Sequence, residues 1–194
     1  MTAANVSAAI LAGGRARRFG GRDKSRLLVD GRPLIVRQIE VLQRVAGRVF
    51  VVAPDADRFT DLGLDVCPDL VPNAGAIGGL YTALASATSE RVLVVACDLP
   101  FLDARVLARL VALADEADGS WVRSGRGIEP LLACYRSATA PLVRRAIDQG
   151  HLKAADLGRI LRMAELDEAE LATYGPVDRL LANLNTPEDL ARVQ

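Results

Sequence analysis

The chain is organised around the stretch Val6-Ser-Ala-Ala-Ile-Leu-Ala-Gly-Gly-Arg-Ala-Arg-Arg-Phe-Gly-Gly-Arg-Asp-Lys-Ser-Arg-Leu-Leu-Val-Asp-Gly31. Its apolar run over residues 6–12 predicts a strand that is buried on both faces of a sheet. The loop that follows combines glycines with positive charge, in Gly13, Gly14, Gly20, Gly21, Arg15, Arg17, Arg18, Arg22, Lys24 and Arg26, against the acid Asp23. Glycine lets backbone N–H groups approach a ligand, and Arg and Lys add charged donors. This combination predicts a loop that binds a polyphosphate, with a solvated basic loop as the alternative.

Two familiar glycine motifs do not describe this loop. A P-loop requires Gly-x4-Gly-Lys-Ser/Thr, with the lysine directly after the second glycine. Here Arg22 and Asp23 separate Gly21 from Lys24. The dinucleotide-binding fingerprint requires Gly-x-Gly-x-x-Gly, and the glycine spacing over residues 13–21 does not match it. The loop is therefore neither of these phosphate-binding motifs.

The size and charge of the chain restrict the class of protein. With 194 residues, of which 51% are hydrophobic and 25% charged, we expect a single globular domain over residues 1–194. Lys and Arg together number 24, as do Asp and Glu, so no general attraction to nucleic acid or to a membrane is expected. No run approaches the ~20 apolar residues of a membrane span, and no signal segment precedes the first strand. We therefore expect a cytoplasmic protein.

The cysteines and the histidine argue against two other kinds of site. Cys67, Cys97 and Cys134 are far apart, without Cys-x-x-Cys spacing, and His151 is the only histidine in the sequence. A zinc site is therefore not expected. A Ser-His-Asp triad would have to use His151, which follows Gly150 just before a helical pattern, and is not expected either. The cysteines are interpreted as reduced core residues.

Beyond the first strand, apolar strands alternate with amphipathic helices. Strands are predicted over residues 27–29, 48–53, 64–67, 91–97, 120–123, 131–135, 163–166 and 180–184. Helices are predicted over residues 34–46, 77–87, 104–117, 138–149 and 154–161, and a last helix is predicted to be capped by Thr186, Pro187 and Asp189. Continuous β-branched runs separated by helices predict a three-layer α/β/α, Rossmann-like fold with a mostly parallel sheet.

Asp98 directly follows the most apolar predicted strand, residues 91–97. Ligands of open α/β sheets bind at the carboxyl ends of the strands, which is where this carboxylate falls. Mg²⁺ prefers one or two carboxylates together with phosphates and water, so Asp98 is a candidate magnesium ligand. The alternative role of a helix N-cap suits Asp103 better, because Asp103 lies just before the next helix. A second loop with glycines leads into the helix at residues 77–87, and a flexible linker is the alternative interpretation there.

The first loop resembles a nucleotidyltransferase signature through Leu11-Ala-Gly-Gly, Arg18-Phe-Gly, Asp23-Lys24 and Leu27-Leu28. The most similar family is that of the molybdenum cofactor guanylyltransferases. Further matching segments are Gly75, Gly78 and Gly79, then Cys97-Asp98, Glu129-Pro-Leu-Leu-Ala-Cys-Tyr135 and Asn183-Leu-Asn-Thr-Pro187. The resemblance covers nearly the whole chain, and it implies the nucleotidyltransferase fold.

The resemblance implies Mg²⁺-dependent transfer of a guanylyl group from GTP to the terminal phosphate of the molybdenum–molybdopterin cofactor, with pyrophosphate as the second product. It implies that Lys24 and Arg18 bind the triphosphate and that Asp98 binds Mg²⁺, and these three are the catalytic candidates. The remaining candidates for nucleotide binding are Leu11, Ala12, Gly13, Gly14, Asp69, Gly78 and Gly79. The candidates on the side of the second substrate are Glu129, Pro130, Asn183 and Asn185.

Other functions on the same fold are alternatives. A cytidylyltransferase acting on the same pterin, or another small-molecule nucleotidyltransferase, would keep the fold and change the substrate, although Leu11-Ala-Gly-Gly14 is typical of the guanylyl branch. A GTP-binding adaptor without turnover would deliver the cofactor to apo-enzymes, but the presence of both Lys24 and Asp98 favours catalysis. The expected partners are GTP and the molybdopterin cofactor. A molybdenum-insertion protein and apo-molybdoenzymes or their chaperones are further candidates.

Overall fold

The structure, a computed structural model, describes residues 5–13, 24–55 and 57–193. In these ranges the strands are β1 (Val6–Leu11), β2 (Leu28–Val29), β3 (Arg32–Pro33), β4 (Arg48–Val52), β5 (Asp65–Cys67), β6 (Arg91–Ala96), β7 (Gly119–Ser124), β8 (Gly127–Arg136) and β9 (Met163–Leu166). The α-helices are α1 (Leu34–Leu42), α2 (Ala76–Ser86), α3 (Ala104–Leu113), α4 (Ala140–Asp148), α5 (Glu168–Ala172), α6 (Val177–Leu180) and α7 (Pro187–Val193). Among these residues, no helix has the length and apolar character needed to span a bilayer.

Seven of these strands form one sheet in the order β5-β4-β1-β6-β8-β7-β9. Strand β1 lies between β4 and β6 and pairs in parallel with both. Within the described part of this sheet, only β8 runs antiparallel to its neighbours, so the predicted, mostly parallel sheet is confirmed. Because β4, β1 and β6 are parallel, their carboxyl ends bring the segments that follow them to the same edge of the sheet.

Alternate residues of β1 point to opposite faces of the sheet, and helices cover each face. Ile10 packs on one face with residues of α1 and α3 that include Leu42 and Leu107. Leu11 packs on the other face with residues of α2 and α4, among them Leu80. Burial of one such aliphatic side chain stabilises the fold by about 1.5–3 kcal/mol. The predicted three-layer α/β/α arrangement is therefore confirmed.

The turn predicted after the first loop is a tight β-hairpin. Strands β2 and β3 pair antiparallel with Val29 opposite Arg32. Between them, Asp30 and Gly31 have φ angles of 50° and 74°. A two-residue type I′ hairpin requires both central residues in this left-handed region, which Asp and Gly tolerate well. Pro33, with a φ angle of −55°, then leads directly into α1, so the predicted start of this helix is confirmed.

Three predicted boundaries were wrong for local reasons. Helix α1 ends at Leu42 rather than at residue 46, because the N–H groups of Val45 and Ala46 donate back to the Leu42 carbonyl in a tight turn. Strand β8 begins at Gly127 rather than at residue 131, because a short turn returns the chain directly onto β7. The predicted helix over residues 154–161 is a 3₁₀ helix that covers Ala154–Arg159.

The strand predicted over residues 180–184 was wrong. Leu180 is the last residue of α6, and Leu181 is buried in the core on the side of α1 and α3. The N–H group of Leu184 donates to the carbonyl of Asp98 at 2.9 Å instead of to a neighbouring strand. The apolar side chains of this segment pack in the core, Leu181 on the side of α1 and α3 and Leu184 against Val29 and Leu34, and they do not extend the sheet.

Side chains cap the helix starts that the sequence indicated. The N–H group of Asp189 donates to Thr186 Oγ1 at 3.2 Å, and the Thr186 N–H group donates to Asp189 Oδ2 at 2.9 Å. This reciprocal pair confirms the predicted cap of α7. Asp103 caps α3 by accepting from the N–H group of Arg105 at 2.7 Å, also as predicted. Helix α5, which was not predicted, is capped by Asp167.

Candidate active site

A cleft of about 650 Å³ lies at the carboxyl ends of β1, β4 and β6. The last residues of these strands, Leu11, Val52 and Ala96, line it. Its other lining residues are Gly13, Lys24, Pro54, Pro68, Asp69, Pro72, Asn73, Gly75, Ala76, Gly79, Cys97, Asp98 and Leu131. Open α/β sheets bind their ligands at this edge, so the cleft is the candidate active site.

Asp98 lies just beyond β6, where backbone hydrogen bonds hold it on two sides. The N–H group of Cys97 donates to the Leu11 carbonyl at 3.2 Å, and the Asp98 carbonyl accepts from the Leu184 N–H group at 2.9 Å. Burial raises the pKa of the Asp98 carboxyl, and the positive charge of Lys24 opposes this effect. The carboxylate is thus a largely desolvated negative charge in the cleft, an environment that favours the binding of a cation.

Lys24 approaches Asp98 from the end of the first loop. Its Nζ donates to Asn185 Oδ1 at 3.0 Å. Three segments that are far apart in sequence therefore meet here: the end of the loop after β1, the turn after β6 and the residues before α7. A lysine ammonium in this position is a compact positive charge with several donors, which suits phosphate oxygens.

Strand β8 brings Glu129 and Pro130 to the same edge of the sheet through a bulge. The register of β8 against β7 shifts between the positions opposite Trp121 and Val122. The hydroxyl of Tyr135 donates to the Pro130 carbonyl at 2.9 Å, and burial raises the pKa of this hydroxyl, which keeps it a donor. Bulges change the direction of side chains and occur often beside active sites.

Glu129 adds a second carboxylate to this part of the site. Burial raises the pKa of its carboxyl, Arg126 lowers it, and the negative charge of Asp98 raises it. The negative charge of Asp98 thus disfavours ionisation of the Glu129 carboxyl. A bound cation would relieve the repulsion between the two carboxylates. Arg126 forms an ion pair with Asp178 and donates to the Leu181 carbonyl at 3.3 Å, so α6 holds it beside Glu129.

Asp69 lies on another wall of the cleft, close to two glycines. A methyl group placed on Gly13 would lie 3.8 Å from Asp69 Oδ2, and one on Gly79 would lie 3.9 Å from Asp69 Oδ1 and 3.3 Å from Leu11 Cδ1. Burial raises the pKa of the Asp69 carboxyl, and no hydrogen bond from the described residues counteracts this effect. Gly13 and Gly79 therefore leave space beside the Asp69 carboxylate, and Leu11 gives this space an apolar side.

The loop that leads into α2 depends on backbone conformations and contacts that favour glycine. Gly75, just before the helix, has a φ angle of 68°, which side chains rarely allow. The hydroxyl of Thr82 accepts from the Leu70 N–H group at 3.0 Å and donates to the Gly78 carbonyl at 2.9 Å. A methyl group on Gly78 would lie 2.9 Å from the carbonyl oxygen of Val71. Gly78 therefore allows the loop to pack closely on the helix.

The structure brings most of the nucleotide-binding candidates together. The candidates that line the cleft are Leu11, Gly13, Lys24, Asp69, Gly79 and Asp98. Two others lie outside its lining, because Ala12 is buried in the core on the side of α1 and Gly78 packs against the preceding loop. Gly14 and Arg18 lie outside the described residues. The binding roles of all these residues stay predictions.

The candidates for the second substrate are close to the cleft but contribute in different ways. Asn185 contacts Lys24, and the negative charge of Asp98 raises the pKa of the Glu129 carboxyl. Asn183 is half-buried, and its amide donates to the Leu181 carbonyl at 3.4 Å. Pro130 contributes the carbonyl that Tyr135 binds. Their contact with a substrate also stays a prediction.

Sequence reasoning missed several residues of the site. Pro54, Asn73 and Leu131 line the cleft. Pro54 follows β4, Asn73 lies in the loop before α2, and Leu131 begins the strand that was predicted over residues 131–135, and these positions at strand ends and in a glycine loop are the signal that could have identified them. Arg126 was missed because it lies in a turn, and only its contact with α6 places it beside Glu129.

The donors of the site are compatible with magnesium. In the part of the chain that the structure describes, no group of three or more His, Cys, Asp and Glu side chains could hold a metal by itself. Mg²⁺ that arrives with a nucleotide needs only one or two carboxylates, since phosphates and water complete its ligands. Asp98, with Glu129 nearby, offers such a set.

Fold and site together define a nucleotidyltransferase. The chain belongs to the MobA-like NTP transferase family, whose domain matches residues 8–169. The match covers the whole seven-stranded sheet except the first two residues of β1, and it includes the turn at Asp98. The family expected from the first loop is therefore confirmed.

Relatives and solved structures agree with this family. A protein of Chloroflexus aggregans named "Probable molybdenum cofactor guanylyltransferase" is 36% identical over 197 residues, covering 97% of this chain and 93% of that protein. The molybdenum cofactor guanylyltransferase of Desulfosudis oleivorans is 30% identical over 190 residues, covering 97% and 94% of the two chains. The crystal structure of molybdopterin-guanine dinucleotide biosynthesis protein A from Archaeoglobus fulgidus superposes with a TM-score of 0.82 at 27% identity, over 96% of each chain. The expected nucleotidyltransferase fold is thus confirmed.

Proposed function

We propose that this protein transfers a guanylyl group from GTP to the terminal phosphate of the molybdenum–molybdopterin cofactor. The observation that carries this proposal is the convergence of Lys24, Asp98 and Asn185 beside a cleft that Asp69 and Gly79 also line. It supports a nucleoside triphosphate that lies along the cleft, with its base near Asp69 and its phosphates near Lys24. The guanylyltransferase names of the relatives support GTP as the nucleotide.

The proposed reaction needs no covalent intermediate on the protein. An oxygen of the pterin phosphate attacks the α-phosphorus of GTP and forms a new P–O bond. The bond from the α-phosphorus to the oxygen that bridges to the β-phosphate breaks, and its electron pair leaves with pyrophosphate. The protein then has to align the two phosphates and stabilise their charge. The other product is the guanine dinucleotide form of the cofactor.

Lys24 is proposed to donate to the phosphates of GTP that leave as pyrophosphate. The amide oxygen of Asn185 accepts from its ammonium group and holds it beside Asp98. Arg18, which lies outside the described residues, is proposed from the resemblance to add a forked pair of donors to the same phosphates. The two side chains would together neutralise the leaving group.

Asp98 is proposed to hold Mg²⁺ against the phosphates of GTP. Burial and the backbone contacts of Cys97 and Leu184 fix its position at the strand end. When bound, Mg²⁺ would supply Lewis-acid stabilisation of charge on the transferred and leaving phosphates. The second carboxylate at Glu129 adds negative charge that attracts the cation.

Asp69 supports guanine as the preferred base. Guanine presents two adjacent donors, the N1–H and the 2-amino group, which a carboxylate accepts as a pair. Cytosine presents its 4-amino group beside an acceptor nitrogen, so the same carboxylate satisfies it less well. Gly13 and Gly79 leave room for a flat ring next to Asp69, and Leu11 offers an apolar surface to it.

The second substrate is proposed to bind between β8 and the segment before α7. This side of the site carries Glu129, Pro130, Asn183 and Asn185, whose carboxylate, carbonyl and amide groups can pair with a polar ring system. The bulge in β8 begins just after Glu129, and the negative charge of Asp98 acts on the Glu129 carboxyl, which supports this placement. A pterin placed here would bring its phosphate toward the α-phosphorus of GTP.

The proposal of protein partners rests on the resemblance alone, and the proposal of a cytoplasmic location rests on the expectation from the sequence. We propose that a molybdenum-insertion protein supplies the substrate in the cytoplasm. Apo-molybdoenzymes or their chaperones would receive the product.

Release of pyrophosphate from the purified protein tests the proposal. The protein would be mixed with molybdenum–molybdopterin, Mg²⁺ and one of GTP, CTP, ATP or UTP, with nucleotide affinity measured in parallel by calorimetry. We expect release with GTP that requires the pterin. Faster release with CTP would make the protein a cytidylyltransferase, and tight GTP binding without release would make it an adaptor.

A further inference from the structure

Gln38 is a buried amide in the middle of α1. Only 1% of its surface is exposed, and its helix packs against the core of the sheet through Ile35 and Leu42. Its Nε2 donates to the carbonyls of Ala96 and Leu99, each at 2.9 Å. Both acceptors are carbonyl oxygens, so this orientation of the amide is the one that forms hydrogen bonds with them.

The two carbonyls lie on either side of the Cys97-Asp98 pair. Ala96 is the last residue of β6, and Leu99 is the first residue after Asp98. Gln38 therefore closes the turn that carries the Asp98 carboxylate, and it does so from the side of α1. From the other side, the Leu184 N–H group binds the Asp98 carbonyl at 2.9 Å.

Gln38 joins distant segments of the chain, as the buried Ser7 hydroxyl does by bonding Ser89 82 residues away, whereas two other buried hydroxyls bond locally. Thr82 and Thr139 donate to carbonyls four and three residues away, within their own turns. Gln38 reaches carbonyls 58 and 61 residues away. Burial of an amide is unfavourable unless it is paired, and Oε1 of Gln38 has no hydrogen-bond partner among the described residues, so an aliphatic side chain would pack here at a lower cost. The pairing therefore serves the turn at Asp98.

We propose that Gln38 is a positioning residue that holds Asp98 in the geometry required by the metal–nucleotide complex. The proposal rests on the role proposed for Asp98 in guanylyl transfer. Gln38 itself touches neither nucleotide nor metal and acts through the backbone on both sides of Asp98. Removal of partners that orient a metal ligand lowers metal affinity or activity by about 10- to 100-fold.

Gln38→Leu removes the two N–H donors of Nε2 and keeps a side chain of similar volume. We expect turnover at saturating GTP to fall about tenfold or more, with the KM for GTP changed less than about twofold. The Mn²⁺ affinity of the protein–GTP complex, measured by electron paramagnetic resonance without the pterin, should fall by a similar factor. If Gln38→Leu does not fold, Gln38→Met keeps the length of the side chain without its donors and replaces it.

Two control variants separate positioning from general destabilisation. Leu42→Ala removes a fully buried side chain of the same helix, so it should lower the melting temperature and leave turnover below that temperature unchanged. Gln43→Leu replaces an exposed amide just after α1 and should change neither property. A Leu42→Ala variant that loses turnover as Gln38→Leu does would overturn the proposal.

A double-mutant cycle with Asp98→Asn gives the decisive measurement. If Gln38 acts through the Asp98 carboxylate, Gln38→Leu should cause little further loss in the Asp98→Asn background. An equal loss in both backgrounds, or wild-type turnover and Mn²⁺ affinity in the single variant, would refute the positioning role. Absence of pyrophosphate release from the wild-type protein would refute the proposed function instead, and the Mn²⁺ measurement would still test Gln38.

Discussion

Lys24 and Asn185 are 161 residues apart in the chain, and Nζ of the first donates to Oδ1 of the second at 3.0 Å. The contact joins the loop after β1 to the segment before α7, next to Asp98. A single exposed hydrogen bond of this kind contributes only about 0.5–1.5 kcal/mol to stability. Its main effect is to fix the position of a positive charge, so variants here should affect ligand binding far more than folding.

Lys24→Ala should weaken GTP binding and lower turnover together. A charge-assisted hydrogen bond to phosphate is worth roughly 1.5–3 kcal/mol, so affinity should fall at least about tenfold. Calorimetry with GTP and pyrophosphate release measure the two effects. The matched control is Lys153→Ala, which removes an exposed lysine outside the cleft lining. Lys24 would be only a surface charge if both variants matched the wild type.

Asp98→Asn should remove most activity and leave the fold intact. The amide keeps the volume and one oxygen but loses the charge that attracts Mg²⁺, so turnover should fall on the order of a hundredfold or more. The melting temperature should not fall, because a half-buried carboxylate whose ionisation is disfavoured is replaced by a neutral group. A Mg²⁺ titration of pyrophosphate release and a thermal melt measure both effects. Asp148→Asn, at an exposed position on α4, is the control, and normal turnover with normal Mg²⁺ dependence in Asp98→Asn would place the metal elsewhere.

The neighbouring glycines of α2 should respond differently to the same substitution. Gly78→Ala places a methyl group 2.9 Å from the Val71 carbonyl oxygen, and such overpacking destabilises by about 1–3 kcal/mol. Gly79→Ala gains helix propensity but brings a methyl group 3.3 Å from Leu11 Cδ1 at the cleft wall. We expect a lower melting temperature from the first variant and a weaker GTP affinity from the second. The opposite pattern would remove Gly79 from the nucleotide site.

Asp69→Asn should change the pH dependence of stability. Burial raises the pKa of the Asp69 carboxyl above its ordinary value of 3.8. The stabilising contribution of the protonated group is therefore complete below that value and is lost as the pH rises through the raised pKa. The variant should melt at a higher temperature than the wild type at neutral pH, and this difference should shrink toward about pH 4. Melts of both proteins across this range measure the effect, and a difference that grows at acidic pH would contradict it.

Asp69→Asn should also weaken GTP binding at neutral pH, because the amide offers guanine a donor where a second acceptor is needed. Calorimetry with GTP and CTP measures the preference between the two bases. An unchanged ratio of affinities would show that Asp69 does not read the base.

Local patterns in the sequence were enough to predict much of the fold. The apolar run that forms β1 and the run that precedes Asp98 are buried strands, because continuous β-branched residues need cover on both faces. The cap of α7 was readable because Thr186 and Asp189 interact within a single turn. The position of Asp98 at a strand end followed from the same local reasoning.

Contacts between distant segments could not be predicted in this way. The order of strands places β8 between β6 and β7, and nothing in its own residues specifies that neighbourhood or its bulge. The pairing of Lys24 with Asn185 and the reach of Gln38 to the turn at Asp98 depend on this topology. Residues 180–184 look like a strand locally, but Leu181 and Leu184 pack into two separate parts of the core and the Leu184 N–H group bonds Asp98 instead of a strand.

Two hydrogen bonds of the site, from the Leu184 N–H group to the Asp98 carbonyl and from Lys24 to Asn185, depend on residues near the end of the chain. A ribosome makes Lys24 and Asp98 well before it makes Leu184 and Asn185, whose groups complete the hydrogen bonds of both earlier residues. Domains generally fold as units, so a chain that ends before residue 184 would lack the groups that hold the turn at Asp98 and the side chain of Lys24. The proposed nucleotide site is therefore complete only once the segment before α7 has been made, and we expect a prematurely terminated chain not to sequester GTP.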